Sequence, residues 1–176
     1  GRVREWRSLY GKPVIVDECC YEGNIEENWG NISARELVHR FWLGTVGGGY
    51  VGHGETYRHP DDILWWSKGG VLHGESPARI AFLRRILEDG PEGGLEPIIA
   101  NWREQAAGRE GEYYLFYLGL HQPAWHTFEL PAGSYGAEII DPWEMTVTPV
   151  PGICEGRFRL ELPGRPCLAV RFRRVP

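Results

Sequence analysis

A carboxylate follows a short apolar run near the start of the chain. The run Val14–Val16 is continuous and apolar, which is typical of a strand buried on both faces of a parallel sheet, and Asp17 and Glu18 come directly after it. A carboxylate at the carboxyl end of such a strand points into the crevice where α/β folds place their active sites. Glycoside hydrolysis needs two carboxyl groups, one that attacks or activates water and one that protonates the leaving oxygen. Glu18 is therefore a candidate catalytic residue, and the alternative is a loop cap or an arginine pair.

A second group of candidates follows the next short apolar run, Tyr50–Gly52. His53 and Glu55 lie just beyond this run, where either side chain could hydrogen-bond a sugar hydroxyl; an internal hydrogen bond of the loop is the alternative. Trp65 and Trp66 lie further along the same loop, where an exposed ring could stack on a sugar. Adjacent side chains usually face apart, so at most one of the two rings is expected to be the platform.

Other aromatic residues are weaker candidates, although the chain has 8 Trp in all. Trp29 lies in the loop after the first strand, and a core role is favoured for it. Trp125 lies between His121 and His126 in the second half, where a second carbohydrate site is the alternative to a favoured structural turn. No metal site and no cofactor are predicted, because His53 and Glu55 match the start of a zinc deaminase signature but no Pro-Cys-x-x-Cys follows.

The elements of the first half must position these residues, and their order reads β-α-β-α up to about Asp89. Ser33 is a good helix N-cap and Glu36 follows three residues later, which is a capping box. This helix is predicted to end at Gly47. A second helix is predicted to begin with Ser76 as its N-cap and a proline in its first turn.

The second half reads as all β. Its candidate strands are spaced by about ten residues with turn residues between them, which favours a sandwich. The last two alternate apolar and polar residues and are joined by a turn at 163–166, so each is predicted to have one buried and one wet face. The candidate strands are Tyr113–Leu118, His126–Leu130, Gly136–Ile140, Met145–Thr148, Gly156–Leu162 and Cys167–Arg173.

Composition excludes several classes of partner. The net charge of −5 and the absence of a basic stripe argue against nucleic acid as a partner. No apolar run approaches the roughly 20 residues of a transmembrane helix, so no membrane is expected. The four cysteines show no C-x-x-C spacing and are predicted to be reduced thiols, which slightly favours the cytoplasm over secretion.

The run around Glu18 resembles the seventh strand of the apiosidase-like glycoside hydrolases, a family of the clan of (β/α)8 retaining enzymes. In that family the seventh strand ends in Glu, followed shortly by Tyr-Glu, and Glu18, Tyr21 and Glu22 match this pattern. The family often has Gly-Glu-Pro where this chain has Asp17, Glu18 and Cys19, which leaves the role of Asp17 open. The resemblance implies that Glu18 is the nucleophile and that Tyr21 and Glu22 lie near the sugar or support Glu18.

The resemblance also implies a fold. The fold class expected is α/β followed by all-β: the last two βα units of a TIM-type barrel plus a small antiparallel β-sandwich. Residues 1–92 would be the barrel part with strands 7 and 8, residues 93–111 a linker or crossover, and residues 112–176 the sandwich domain. Such a chain lacks the strand that carries the acid/base in related enzymes, so it is expected to be inactive alone. Its partners would be an oligo- or polysaccharide and the missing N-terminal barrel portion, or a second copy.

The sequence is compatible with two other classes of function. The β half could be a non-catalytic carbohydrate-binding module that the first half merely supports. It could also only brace a barrel. Neither the sugar nor the linkage follows from the sequence.

Overall fold

The computed structural model describes residues 2–52, 56–58, 72–98 and 105–176. These residues form three α-helices, α1 (Val3–Tyr10), α2 (Ala34–Val46) and α3 (Ser76–Glu88), and one short 3₁₀ helix (Asn28–Gly30). The strands are β1 (Val14–Val16), β2 (Gly49–Val51), β3 (Glu96–Pro97), β4 (Gln105–Arg109), β5 (Tyr113–Tyr117), β6 (Trp125–Glu129), β7 (Tyr135–Asp141), β8 (Thr146–Cys154), β9 (Arg157–Glu161) and β10 (Ala169–Arg174).

The strands build three separate sheets. β1 and β2 form a two-stranded parallel sheet, in which Ile15 pairs with Tyr50. A six-stranded antiparallel sheet has the order β3-β4-β5-β10-β7-β8, and β6 pairs with β9 in a third sheet of two strands. β3 and β4 come from the segment that the sequence assigns to a linker, so that segment contributes strands to the large sheet. The division of the chain into domains stays a prediction.

Both faces of the six-stranded sheet are covered. On one face, α2 and α3 pack against alternate residues of β5, with the Trp42 and Tyr117 rings stacked at 5.4 Å between centroids. On the other face, the β6–β9 pair closes a second core in which the Phe128 and Phe172 rings meet at 5.0 Å. Residues of α2 and of the large sheet therefore share one hydrophobic core.

The start of α2 confirms the predicted capping box. Ser33 lies in extended backbone before the helix, and its Oγ accepts a hydrogen bond of 3.1 Å from the Glu36 amide. This bond satisfies one of the amides that a helix leaves unpaired in its first turn. The helix ends at Gly47 as predicted, and its apolar side buries Leu37, Phe41 and Trp42.

The predicted fold class is wrong, because the sheets do not close into a barrel and most of the strands are antiparallel. β1 and β2 are three residues long and pair with no other strand among the described residues. Ile15 is 69% exposed and Tyr50 is 65% exposed, so the apolar run is covered on one face only. A short apolar run is compatible with burial on two faces but does not require it.

The predicted strands of the second half each overlap an observed strand, but the partner expected for the last one is wrong. The turn at 163–166 suggests that the last two strands form a hairpin, whereas β9 pairs with β6 and β10 lies between β5 and β7. The polar face predicted for β10 is exposed to solvent only near the carboxyl end of the strand. Arg171, on that face, is buried and pairs with Asp89, the C-cap residue of α3. Alternation shows that a strand has two different faces, but not what covers them.

Candidate active site

The candidate nucleophile lies at the carboxyl end of the parallel strand pair. Val16 pairs with Val51, and the Gly52 amide donates a hydrogen bond of 2.9 Å to the Val16 carbonyl. The two strands therefore end side by side at the same edge of the sheet. Glu18 lies two residues beyond β1 on the path that leaves this edge, and its side chain is exposed. The structure thus places an accessible carboxylate where α/β folds place reacting groups.

Four of the predicted sugar contacts cannot be placed in this geometry. His53, Glu55, Trp65 and Trp66 lie outside the described residues. Their roles stay predictions.

Glu22 is a buried anchor at the start of α3. Its side chain has no exposed surface, and its carboxylate accepts hydrogen bonds from the amides of Glu75 and Ser76 at 2.8–3.1 Å and from the Ser76 hydroxyl at 2.6 Å. The guanidinium of Arg58 lies 3.7 Å from the same carboxylate. A helix N-terminus presents unpaired amides and a partial positive charge, which suits a carboxylate. This geometry ties the segment that follows Glu18 to the start of α3, and the role that the resemblance implies for Glu22 stays a prediction.

Tyr21 belongs to a cluster of three aromatic rings beside the Glu18 segment. Its ring centroid lies 6.3 Å from that of Trp29 and 5.3 Å from that of Tyr57, and the Trp29 and Tyr57 centroids are 4.8 Å apart. Two of the three contacts are edge-to-face, the arrangement that aromatic quadrupoles favour. The core role favoured for Trp29 is wrong in one respect, because 42% of this residue is exposed.

Arg40 of α2 holds the main chain just after Glu18. Its Nη1 donates a hydrogen bond of 2.8 Å to the Cys19 carbonyl, and its Nε donates one of 2.7 Å to Glu36 one turn earlier in the helix. Cys20 has a φ of 69°, a left-handed conformation that non-glycine residues rarely adopt. Such conformations persist only where surrounding contacts hold them, and Arg40 supplies these contacts here.

Cys19 itself is an inert part of this arrangement. Burial raises the pKa of its thiol, although the nearby Arg40 charge opposes the shift. The thiolate is the reactive form of cysteine, so a raised pKa keeps this thiol protonated and unreactive near neutral pH. All four cysteines are free, and the described residues contain no group of His, Cys, Asp and Glu side chains able to hold a metal ion.

Replacing Arg40 by alanine is expected to loosen the Glu18 segment. A hydrogen bond to a charged group contributes about 1.5–3 kcal/mol, so its loss should raise local opening roughly ten- to hundredfold. Hydrogen-exchange mass spectrometry of residues 17–24, where the Tyr21 amide bonds the Trp29 carbonyl, measures this opening. Arg84→Ala is the matched control, because Arg84 makes a similar one-turn pair with Glu88 on an exposed helix face. Equal exchange of residues 17–24 in the two variants would contradict the role of Arg40.

Sequence reasoning missed Arg40 and the shared cluster of Tyr21, Trp29 and Tyr57. The Glu36–Arg40 spacing of one helical turn signals an ion pair, but nothing local signals the bond to the Cys19 carbonyl 21 residues earlier. Tyr57 joins the cluster because its amide bonds the Glu22 carbonyl at 2.7 Å, which extends the parallel pairing beyond β1 and β2. Neither contact leaves a sequence pattern.

The fold built by these elements is related to that of glycoside hydrolases, since solved glycoside hydrolase structures superpose on nearly the whole chain. A protein named "putative glycoside hydrolase" from Bacteroides vulgatus ATCC 8482 is 34% identical, with a TM-score of 0.84 over 98% of this chain and 38% of that one. A glycoside hydrolase of family 5 from the same organism is 13% identical, with a TM-score of 0.69 over 98% of this chain and 45% of that one.

A more distant structure is the family 27 β-L-arabinopyranosidase of Geobacillus stearothermophilus, 10% identical, with a TM-score of 0.52 over 99% of this chain and 41% of that one. The two structures of low identity support the fold alone. This chain spans less than half the length of each of the three proteins.

Sequence comparisons add one family. Residues 102–173 match a domain of unknown function, DUF5605. No curated protein matches the chain. Among the described residues, no helix is both long enough and apolar enough to cross a membrane.

Proposed function

We propose that this chain carries the nucleophile of a retaining glycoside hydrolase and that Glu18 is that nucleophile. The observation that carries the proposal is an exposed Glu18 at the carboxyl end of a parallel strand pair, in a fold related to that of glycoside hydrolases. The 34% identity to a "putative glycoside hydrolase" over 98% of the chain supports the same assignment. Tyr21, His53, Glu55, Trp65 and Trp66 are proposed as residues that contact or shape the sugar site.

The proposed reaction has two displacements at the anomeric carbon. In the first, a Glu18 carboxylate oxygen bonds to C1 while the bond from C1 to the leaving oxygen breaks, and that oxygen takes a proton from an acid. In the second, water attacks C1, the ester bond to Glu18 breaks, and the same acid, now a base, takes the proton from water. Glu18 leaves the cycle as a free carboxylate.

A second carboxyl group must therefore face Glu18. In retaining enzymes the two groups lie about 5–5.5 Å apart. The Glu22 carboxylate is bonded to the start of α3. Asp17 is the immediate neighbour of Glu18, and adjacent side chains of an extended segment point to opposite sides. We propose that additional polypeptide supplies the acid/base, since the chain spans 38% of its 34%-identical relative. This chain alone is then not expected to turn over glycosides.

Covalent trapping tests Glu18 without the missing acid. A 2,4-dinitrophenyl 2-deoxy-2-fluoroglycoside has a leaving group that departs without a proton, so it glycosylates the nucleophile alone. Intact mass spectrometry with a set of glucosyl, galactosyl, xylosyl and arabinosyl reagents is expected to show one added glycosyl unit per chain. Glu18→Gln should take up none, and Asp17→Asn, a neighbouring change from acid to amide, should react like the wild type. Labelling that persists in Glu18→Gln, or no labelling of the wild type by any reagent, would contradict the proposal.

A second candidate function is a non-catalytic carbohydrate-binding module. One observation favours it: Trp125 at the start of β6 is 49% exposed, and the guanidinium of Arg159 lies 4.4 Å from its ring centroid. An exposed aromatic ring beside a cation is a plausible sugar contact on the sheet that faces away from α2 and α3. Sugar binding that is lost in Trp125→Ala and survives in Glu18→Ala would favour this second function.

A further inference from the structure

The exposed ring of the aromatic cluster is Trp29. Tyr57 is buried and Tyr21 is half-buried, whereas 42% of Trp29 is accessible. Removing an indole from water is favourable by roughly 25 cal/mol per Å² of apolar surface, so leaving a large part of one in water forgoes stabilisation. Single exposed apolar residues are common on proteins and need no explanation by themselves. What separates Trp29 from these is how firmly the surrounding segment holds it.

The segment that bears Trp29 is closed on itself by several contacts. The Asn31 side-chain amide donates to the Ile25 carbonyl at 3.1 Å, which ties the two ends of the loop together. A side chain at Gly23 would clash with the Gly30 carbonyl and with Tyr57, so the two passes of the chain lie in direct contact. The Trp29 ring is thereby fixed in place before any ligand arrives. A preformed contact surface binds more tightly because less freedom is lost on binding.

The same segment is joined to the path that leads from Glu18. The Trp29 carbonyl accepts a hydrogen bond of 2.7 Å from the Tyr21 amide, and Tyr21 lies three residues beyond Glu18. The Tyr21 and Trp29 rings also meet edge to face at an interplanar angle of 87°. A rigid, exposed aromatic ring is thus held by main-chain bonding beside the segment of the exposed carboxylate.

We infer that Trp29 is a sugar-stacking platform for a pyranose next to the bond that is cut at Glu18. The apolar face of the ligand is the C–H face of the pyranose, which packs on the indole while its hydroxyl groups stay in water or bond to polar groups. This inference rests on the proposed function for the position of the cut bond, but the stacking itself requires no reaction. It assigns a role to a residue for which the sequence favours burial in the core.

Affinity gel electrophoresis with hydroxyethyl cellulose, xylan and arabinogalactan as probes tests the platform. The wild type is expected to be retarded by at least one of the three polymers. Trp29→Ala should weaken that retardation about tenfold or more in dissociation constant, the equivalent of about 1.4 kcal/mol. Trp29→Tyr keeps a flat ring and should stay within about threefold of the wild type. Trp6→Ala is the matched control, since it removes a similarly exposed tryptophan from α1.

Three results would overturn the inference: unchanged retardation of Trp29→Ala, an equal loss in Trp6→Ala, or no retardation of the wild type by any of the polymers. Urea unfolding of Trp29→Ala shows whether the variant is folded, and Trp29→Tyr tests the ring in a chain that keeps its packing. The inference and the proposed function fail separately. If retardation depends on Trp29 but no sugar is trapped at Glu18, the platform is supported and the nucleophile is not. If a sugar is trapped at Glu18 but retardation does not depend on Trp29, the nucleophile is supported and the platform is not.

Discussion

Replacing Glu22 by alanine is expected to lower the free energy of unfolding by about 3–5 kcal/mol, the cost of removing one member of a buried charged network. The carboxylate is fully buried and receives three donors from the start of α3, two amides and the Ser76 hydroxyl. Alanine would leave these donors without their acceptor, and each such group that is buried and unpaired costs about 1–3 kcal/mol. The free energy of unfolding from urea denaturation measures the effect.

Two further variants separate the causes of this loss. Glu26→Ala changes an exposed glutamate four residues later in the same segment and should shift the unfolding free energy by no more than about 0.5 kcal/mol. Glu22→Gln keeps the shape but replaces one acceptor oxygen by an amide that donates, so it should fall between the alanine variant and the wild type. Glu22→Ala and Glu26→Ala of equal stability would show that Glu22 does not anchor α3.

Replacing Arg171 by alanine is expected to destabilise the fold by an amount similar to that for Glu22, about 3–5 kcal/mol. Its guanidinium is buried in the centre of the large sheet, where it donates to Glu138 of β7 at 2.7 Å and to Asp89 at 2.9 Å. Asp89 ends α3, so Arg171 joins the helix layer to β10 and β7 through charge-assisted hydrogen bonds. Its removal leaves Glu138 partly buried without its closest cation.

The control for Arg171 is an arginine on the surface of the neighbouring sheet. Arg159 pairs with Glu161 at 2.7 Å, but both side chains are more than half exposed. Exposed pairs contribute about 0–1 kcal/mol, so Arg159→Ala should change the urea midpoint little. Arg171→Met restores apolar bulk without charge, and it should recover part of the stability that Arg171→Ala loses. A midpoint for Arg171→Ala that matches Arg159→Ala would mean that the buried cluster contributes no more than a surface pair.

Local elements of this fold could be predicted because their signals are local. The capping box at Ser33 and Glu36 is spaced by one helical turn, and the last two strands of the second half alternate apolar and polar residues over five or six positions. Sheet order could not be predicted in the same way. The partners of β10 are β5 and β7, whose central residues lie more than 30 positions away in the sequence. A strand that alternates apolar and polar residues keeps the same apolar face inside whichever strands it pairs with, so the alternation does not identify its partners.

The candidate site shows the same division between local and distant information. The position of Glu18 just beyond a parallel strand follows from the apolar run and the acid after it. The burial of Glu22 depends on Ser76, which is 54 residues away, so a sequence reading could place it near a sugar as readily as under a helix. The exposure of Trp29 depends on the close approach of Gly23 and Gly30, which no hydrophobic pattern records.

The most direct test of Glu18 as the nucleophile is to locate the trapped sugar within the chain. After reaction with the fluoroglycoside that labels it, the protein is digested with trypsin and the peptide covering residues 8–35 is sequenced by tandem mass spectrometry. An added glycosyl mass on Glu18, and not on Asp17, Glu22, Glu26 or Glu27 of the same peptide, is the predicted result. A glycosyl mass on any other residue of the chain, or an unmodified peptide, would contradict the role of Glu18.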